Sequence, residues 1–545
     1  MVHTKQLPYT KRLAANKIID LIYDGKLAAA KAIIKKNYKP GSELFHFFYG
    51  WINQIEGRHD LAITSFEKAL IANPLNGEVL IGLAGSYLEI NDFERASECA
   101  EHAITLNGKE PKNLLTMATI LSKSKLKDRS AQLEADSLFE KAFDYCVSSP
   151  EPNKKLLVDI LSGWGGCLLN LEEMDQARIL LEKAISYDNY NPIAHKNLVS
   201  VYANMNLIRS AIESCKIAEM SDDKSLVIDT IYQEGMLELL QGNFAKGWRL
   251  HEARLETSKF AYKDLLALGH KNLSEITEQD SLLLFQEQGI GDLLQFLHLI
   301  PEVYKLCKNI DIVVLPNTFL PMDNNKVKSP KDFIEHNLKD YIRNVYVRGV
   351  DKINTEYDCV TPLMSLGYWL KLTPDNNPGI LPFRTTTACG KYVGRVGIFW
   401  KGSVHHANDS LRSVPTSYIN ELVKKNTHID FLSLQIDRDN ELVLTDNIVL
   451  AKEDMKGLLE TVSVLEDCSL IITVDSMIAH LAAGMGKSVI MLHAWSPDWR
   501  WGIKNTTENR WYKTVTDIRQ AQYKNWDTAF EEVNNRLEVF KMFID

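Results

Sequence analysis

The chain has 545 residues, 45% of them apolar and 24% charged, with a formal net charge of −9. That length accommodates three or four domains without disulfide staples, and the composition excludes a largely disordered or collagen-like chain. The acidic balance disfavours a dedicated nucleic-acid binder, and no run approaches the ~18 apolar residues that span a bilayer.

The opening MVHTKQLPYTKRLAANK lacks the apolar core of a secretory signal, and eight cysteines from Cys99 to Cys468 include no CxxC pair. A reducing cytoplasm is the expected setting. Small residues then recur at a spacing of about 34 residues. Gly50, Ala62, Phe66, Ala69 and Pro74 are followed by Ala84, Tyr87, Ala96, Ala100 and Ala103. Later copies show Gly165, Ala177, Leu181 and Ala184, then Tyr202, Ala211 and Ala218. Antiparallel helices approach closely where small side chains face each other, with Phe66 and Tyr87 filling the holes.

This pattern resembles the tetratricopeptide repeat, clearly over 43–108 and 158–225 and in degenerate form over 9–42. KSKLKDRSAQ, near 122–133, reads as an inserted loop. Gly242, Gly247 and Trp248 depart from the repeat, and a polar stretch around 256–279 reads as the domain junction. Such an array offers a groove for an extended partner segment, or serves as a scaffold or dimerisation arm.

From residue 280 the period changes. SLLLFQ (281–286), IDIVVLP (310–316), VGIFW (396–400), FLSLQ (431–435), SLIITVD (469–475) and SVIMLHA (488–494) read as strands. Helical patterns such as LLQFLHLIPEVYKLC and SYINELVKKN separate them. Apolar strands alternating with helices predict parallel sheets covered on both faces. Two blocks, about 280–375 and 390–525, are joined by LTPDNNPGILPF and predict two doubly wound sheets facing a cleft; one large mixed sheet is the alternative.

Four stretches could carry chemistry. EQGIGDLLQF places Gly289 and Gly291 around a tight strand-to-helix turn, with Asp292 opening a helix near Leu293. Asp292 is either a functional carboxylate or simply a helix N-cap. VDSMIAHLAAGMGKSV ends a strand at Asp475 and begins a helix with Ser476, Met477 and Ile478. Free N–H groups and the helix dipole suit a diphosphate there, and a capped helix with a buried His480 is the plainer reading. WKGSVHHANDSLRS gathers Lys401, His405, His406, Asn408, Asp409 and Arg412 after a strand. Lys401 and Arg412 suit an anion, whereas either histidine alone fits a solvated loop. SPDWRWG brackets Arg500 between Trp499 and Trp501, with Trp511, Arg519 and Gln520 following. These either stack on a base or sugar or fill the junction between sheets and helices.

Taken in order, these four stretches resemble bacterial and phage-type tetratricopeptide-repeat glycosyltransferases, whose catalytic half is related to the heptosyltransferases; the layout is similar to that of O-GlcNAc transferases. The resemblance implies a tetratricopeptide solenoid over 1–255. It also implies a GT-B catalytic region of two Rossmann-like halves, 256–385 on the acceptor side and 386–545 on the donor side. It makes Asp292 the general base. Asp475, Ser476, Met477 and Ile478 become the donor diphosphate and sugar site, and Lys401 matches less closely the family's basic residue near the phosphates. The residues after Asp292 and the irregular stretch 317–335 depart from the family pattern, which touches the acceptor side most.

The function implied is inverting, metal-independent transfer of a sugar from a nucleotide-diphosphate donor. The acceptor would be a macromolecule (protein, glycan or modified nucleic acid) held partly by the repeats. No cofactor and no metal site are expected, and Asp437–Arg438–Asp439 reads as a solvated turn. A non-catalytic repeat scaffold with a nucleotide-sugar-sensing module, and a nucleotide-sugar epimerase, are the alternatives.

Overall fold

The computed structural model describes residues 9–316, 329–354, 356–377, 383–384, 389–404, 406, 408–436, 440–503 and 508–541. Most of 317–335, part of the 372–383 connection, His405 and Asp437–Arg438–Asp439 lie outside them. The chain divides into two compact units, 1–202 and 203–545.

The first unit is built from helix pairs. Tyr9–Tyr23 and Leu27–Asn37 are followed by Glu43–Ile55 and His59–Ala72, then by Gly77–Glu89 and Phe93–Leu106. The periodic small residues are the reason for the close approach: Ala62, Ala69, Ala84, Ala96, Ala100 and Ala103 are all fully buried. Phe66 lies between two glycines, and a Cβ at Gly50 or Gly82 would stand 2.7 or 2.6 Å from its ring. The region 9–42, degenerate in sequence, is a helix pair like the rest.

The loop expected near 122–133 is absent. Helices Pro111–Ser124 and Arg129–Val147 leave only four residues between them, and Asp128 caps the second by accepting from Ser130 N (3.0 Å) and Ala131 N (3.2 Å). The additional residues of this repeat go instead into the helix of 19 residues that follows. Lys154–Asn170 and Met174–Tyr187 form the next pair.

A residue in the left-handed region stands two positions before the second helix of most pairs. In the first unit these are Gly25 (φ 71°), Gly57 (φ 70°), Asn91 (φ 60°) and Glu172 (φ 64°). Nothing lies within 4 Å of a Cβ built on Gly57. Gly57→Ala therefore tests backbone strain alone, and thermal unfolding should show a loss of about 1–2 kcal/mol.

The second unit opens with helices Ile208–Ala218, Lys224–Gln241 and Phe244–His251. The unit boundary at 202/203 thus precedes the junction read from the sequence, and these helices pack within the unit that holds the sheets. Gly242 (φ 91°) ends Lys224–Gln241, and Arg510 donates to the carbonyls of Leu239 (3.1 Å) and Leu240 (2.9 Å) at that end.

Two separate parallel sheets follow rather than one mixed sheet. The first has β1 (Ser281–Phe285), β2 (Asn309–Val314), β3 (Asn344–Val347) and β4 (Cys359–Pro362), in the order β3-β2-β1-β4. The second has β5 (Val396–Phe399), β6 (Phe431–Ser433), β7 (Ile448–Leu450), β8 (Leu470–Val474), β9 (Val489–His493) and β10 (Val515–Arg519), in the order β10-β9-β8-β5-β6-β7. In each sheet the chain winds outward one way and then returns to the other side of the starting strand. Loops leaving neighbouring strands at that reversal diverge and open a crevice at their carboxyl ends. The reversal lies at β1/β4 and at β5/β8. The expected long helix after β1 is two, Ile290–Leu297 and Ile300–Tyr304, with Pro301 in the first turn of the second.

Candidate functional site

The loop after β1 is anchored from below. Glu287, with only 3% of its side chain exposed, accepts Arg254 Nε (3.0 Å) and Nη2 (2.8 Å). Arg254 also donates to Glu252 Oε1 (2.6 Å) and Ser365 Oγ (2.8 Å). Burial acts against this guanidinium's charge, but Glu287 and Glu252 hold its pKa above the ordinary arginine value. Burial pushes Glu287 upward and Arg254 opposes it; two N–H donors on its oxygens favour the ionised form. Trp248, one of the residues that break the repeat pattern, sits beside this anchor. Its Nε1 donates to Leu372 O (2.7 Å) and its ring meets Trp499 edge-on at 5.2 Å.

From that anchor the chain turns into helix Ile290–Leu297. The helix starts at Ile290 rather than near Leu293, and its N-cap is Gly289, so Asp292 is not the cap but lies in the first turn. No side chain caps this helix. Across from it, β8 runs through Asp475 into helix Met477–Gly484, whose N-cap is Ser476. That end also lacks a side-chain cap, because the Ser476 hydroxyl is engaged with Thr473 Oγ1 at 3.1 Å. Asp475 is therefore not the helix cap.

The two helix starts meet at Gly291. A Cβ there would stand 3.1 Å from the His480 ring and 3.8 Å from Met477 N. A side chain there would press on the His480 ring, so the close approach of the two turns favours a glycine at this position. His480 is buried, bonded to Tyr512 OH (2.9 Å) and packed against Trp501 (5.4 Å between centroids), and burial lowers its pKa to about 3. It is neutral and supports the turn.

Arg500 joins the two sheets. Its guanidinium donates to Asp292 Oδ1, to Gln295 Oε1 (2.7 Å) and to Asp498 Oδ1 (2.7 Å), and it lies 4.2 Å from the Trp499 ring centroid. Asp292 keeps 21% of its side chain exposed. Burial raises its carboxyl above the ordinary range; Arg500 opposes that shift, and Asp498 and Asp475 add to it. The sequence reading gave Arg500 no such partner, because Asp292 lies 208 residues away.

The loop after β5 enters the same electrostatic neighbourhood. His406 keeps an exposed surface, yet partial removal from water and the charge of Arg412 lower its pKa, while Asp475, Asp498 and Asp292 pull it upward. Among the described residues Arg412 Nε is buried without a hydrogen-bond partner, 3.9 Å from Asp409 Oδ1, and the guanidinium packs against Gly402. Lys401 is anchored by its backbone N–H to Gln435 Oε1 (3.1 Å), and its Nζ lies 3.4 Å from Glu441. Trp499, Trp501 and Trp511 are buried, and Trp511 Nε1 donates to Arg500 O (2.8 Å). They fill the junction of sheets and helices. Gln520 Oε1 accepts from Trp495 N (2.9 Å).

Asp292, Asp475, the 476–478 turn, Gly289 and Gly291 are thus brought to one region, together with Arg500 and Asp498, whereas the side chains of Arg412 and Lys401 stay within the loop after β5 and its surroundings, against Gly402 and Glu441. The carboxylates are set against Arg500 and two uncapped helix N-termini, whose dipoles favour negative charge.

Comparison with known proteins bears on both halves. Residues 55–118 match the tetratricopeptide repeat, and residues 444–535 match glycosyltransferase family 9 (heptosyltransferase). The second match spans β7 to β10, including Asp475 and Arg500. Among solved structures, the chain is similar to a thermophilic tetratricopeptide-repeat protein of Thermus thermophilus (21% identity, 36% of this chain and 100% of that one, TM-score 0.32). It is also similar to a tetratricopeptide repeat protein from Parabacteroides merdae (16% identity, 47% and 96% covered, TM-score 0.34). No curated protein matches it. The chain combines tetratricopeptide repeats with a glycosyltransferase family 9 domain, and the enzyme class is glycosyltransferase. No described helix is long and apolar enough to cross a membrane.

Proposed function

We propose that the protein is an inverting, metal-independent glycosyltransferase with a nucleotide-diphosphate sugar as donor and a macromolecule as acceptor. One observation carries the proposal: Gly291, which immediately precedes Asp292 in the first turn after β1, meets the uncapped start of helix Met477–Gly484 after β8. A base and an anion-binding turn at one crevice are the two parts that this transfer needs.

In this reading the donor diphosphate lies on the N–H groups of 476–478, and Asp475 accepts hydrogen bonds from the donor sugar. The acceptor hydroxyl attacks the anomeric carbon from the face opposite the diphosphate. Asp292 takes the hydroxyl proton, the new C–O bond forms, and the nucleoside diphosphate leaves with the electron pair of the old one. A single displacement inverts the centre. Arg412, Lys401 and the helix N–H groups balance the charge growing on the leaving group, so neither a divalent ion nor a cofactor is needed. The repeat helices hold part of the acceptor, a polypeptide being the chemistry such arrays suit. Eight free cysteines go with a reducing, cytoplasmic setting.

The test is a panel of UDP-, GDP- and ADP-sugars screened by thermal shift and then by donor turnover. A true donor at 100 times its dissociation constant should add about 2.7 kcal/mol of stability. Turnover should be unchanged in EDTA and should yield the inverted anomer. Strict dependence on Mn²⁺, or interconversion of the free donor without acceptor, would count against the proposal; the latter would indicate an epimerase.

A further inference from the structure

Arg500 is more tightly held than a mobile counter-charge would be. Its side chain is 7% exposed, and its three guanidinium nitrogens go to Gln295, Asp498 and Asp292. Its backbone is held as well: the N–H donates to Asp498 Oδ1 (3.0 Å), and the carbonyl accepts from Trp511 Nε1. Asp292 and Gln295 are three residues apart on one helix, hence on one face, and together they present two acceptors to a planar fork. The fork takes one carboxylate oxygen, Oδ1. The other, Oδ2, lies on the Gly289 side, 3.3 Å from where a Cβ on that glycine would stand, and the Gly289 backbone N–H also donates to this carboxylate.

We propose that Arg500 is a positioning residue: it fixes Oδ1 of Asp292 and so leaves Oδ2 to receive the acceptor's proton. This rests on the reading of Asp292 as the base. The charged groups around Asp292 are Arg500, Asp498, Asp475, Glu287 and His406. Arg500 is the cation that opposes the upward push of burial and of the neighbouring carboxylates. Without it Asp292 would hold its own proton to higher pH and could not accept another.

The experiment compares the full-length wild type with Arg500→Met, Arg500→Lys, Asp292→Asn and the Arg500→Met/Asp292→Asn double variant. Gln295→Met, which loosens the fork without removing it, stands in if Arg500→Met does not fold. The first readout is turnover against pH, using the panel sugar with the largest thermal shift. Arg500→Met should move the acid limb to higher pH and lower kcat by up to about 10²-fold with donor KM unchanged. Arg500→Lys should restore part of the limb's position.

The second readout needs no donor. A carboxyl raised in the folded state costs stability above its unfolded pKa, and that cost grows until pH passes the folded value. The Tm gap between Asp292 and its Asn variant should therefore keep changing to higher pH in the Arg500→Met background than in the wild type. Coincident acid limbs, or the same pH dependence of the Tm gap in both backgrounds, would overturn the role of Arg500. An active Asp292→Asn would instead overturn the reading of Asp292 as base.

Discussion

Asp292→Asn is expected to slow sugar transfer by about 10²–10⁴-fold, the usual contribution of a positioned general base. The substitution is nearly isosteric, and an amide oxygen can still accept from Arg500, so the meeting of the two helix starts at Gly291 should survive. Donor binding relies on the 476–478 turn in the proposed mechanism. The thermal shift from the donor should therefore match that of the wild type while turnover collapses. Asp292→Ala should lose a similar amount. Normal turnover by both variants would remove Asp292 from the chemistry.

The second large effect is on stability. Arg254→Met should destabilise the protein by about 3–5 kcal/mol, because it strands the buried Glu287 carboxylate without its partner. Arg254 joins the end of the helical segment before the first sheet to the loop after β1, so its loss also loosens the turn that carries Asp292. The double variant Arg254→Met/Glu287→Gln should recover a substantial part of the loss, since neither charge is then left alone. Denaturant unfolding of the wild type, the single variants Arg254→Met and Glu287→Gln, and the double variant measures the coupling. A double variant no more stable than Arg254→Met would show that the ion pair itself matters little and that packing around Trp248 dominates.

The central strands were legible because parallel strands covered on both faces must be apolar throughout. β1 and β8 are buried at nearly every position. The four strands that the sequence does not announce, β3, β4, β7 and β10, are the edges of the two sheets. Edge strands pair on one side only, and polar or partly exposed residues interrupt their apolar pattern, as Asn344 and Tyr346 do in β3 and Thr516 and Asp517 in β10, while β7 has only the three residues Ile448–Leu450. The loop expected near 122–133 failed for a different reason. Its polar composition matches an exposed helix surface as well as a loop, and the Asp128 cap restarts the helix.

Among the site residues, the sequence alone determined the two glycine- and serine-flanked turns after β1 and β8. A strand ending in small or polar residues before an apolar helix is a local pattern, set by residues a few positions apart. The small-residue period of the repeats is likewise local. Tertiary structure alone decided which charges meet: Arg500 with Asp292, Arg254 with Glu287, Lys401 with Glu441. An ion pair depends on distance in space, and nothing in a lone arginine between two tryptophans says which carboxylate, 208 residues away, the fold will bring against it.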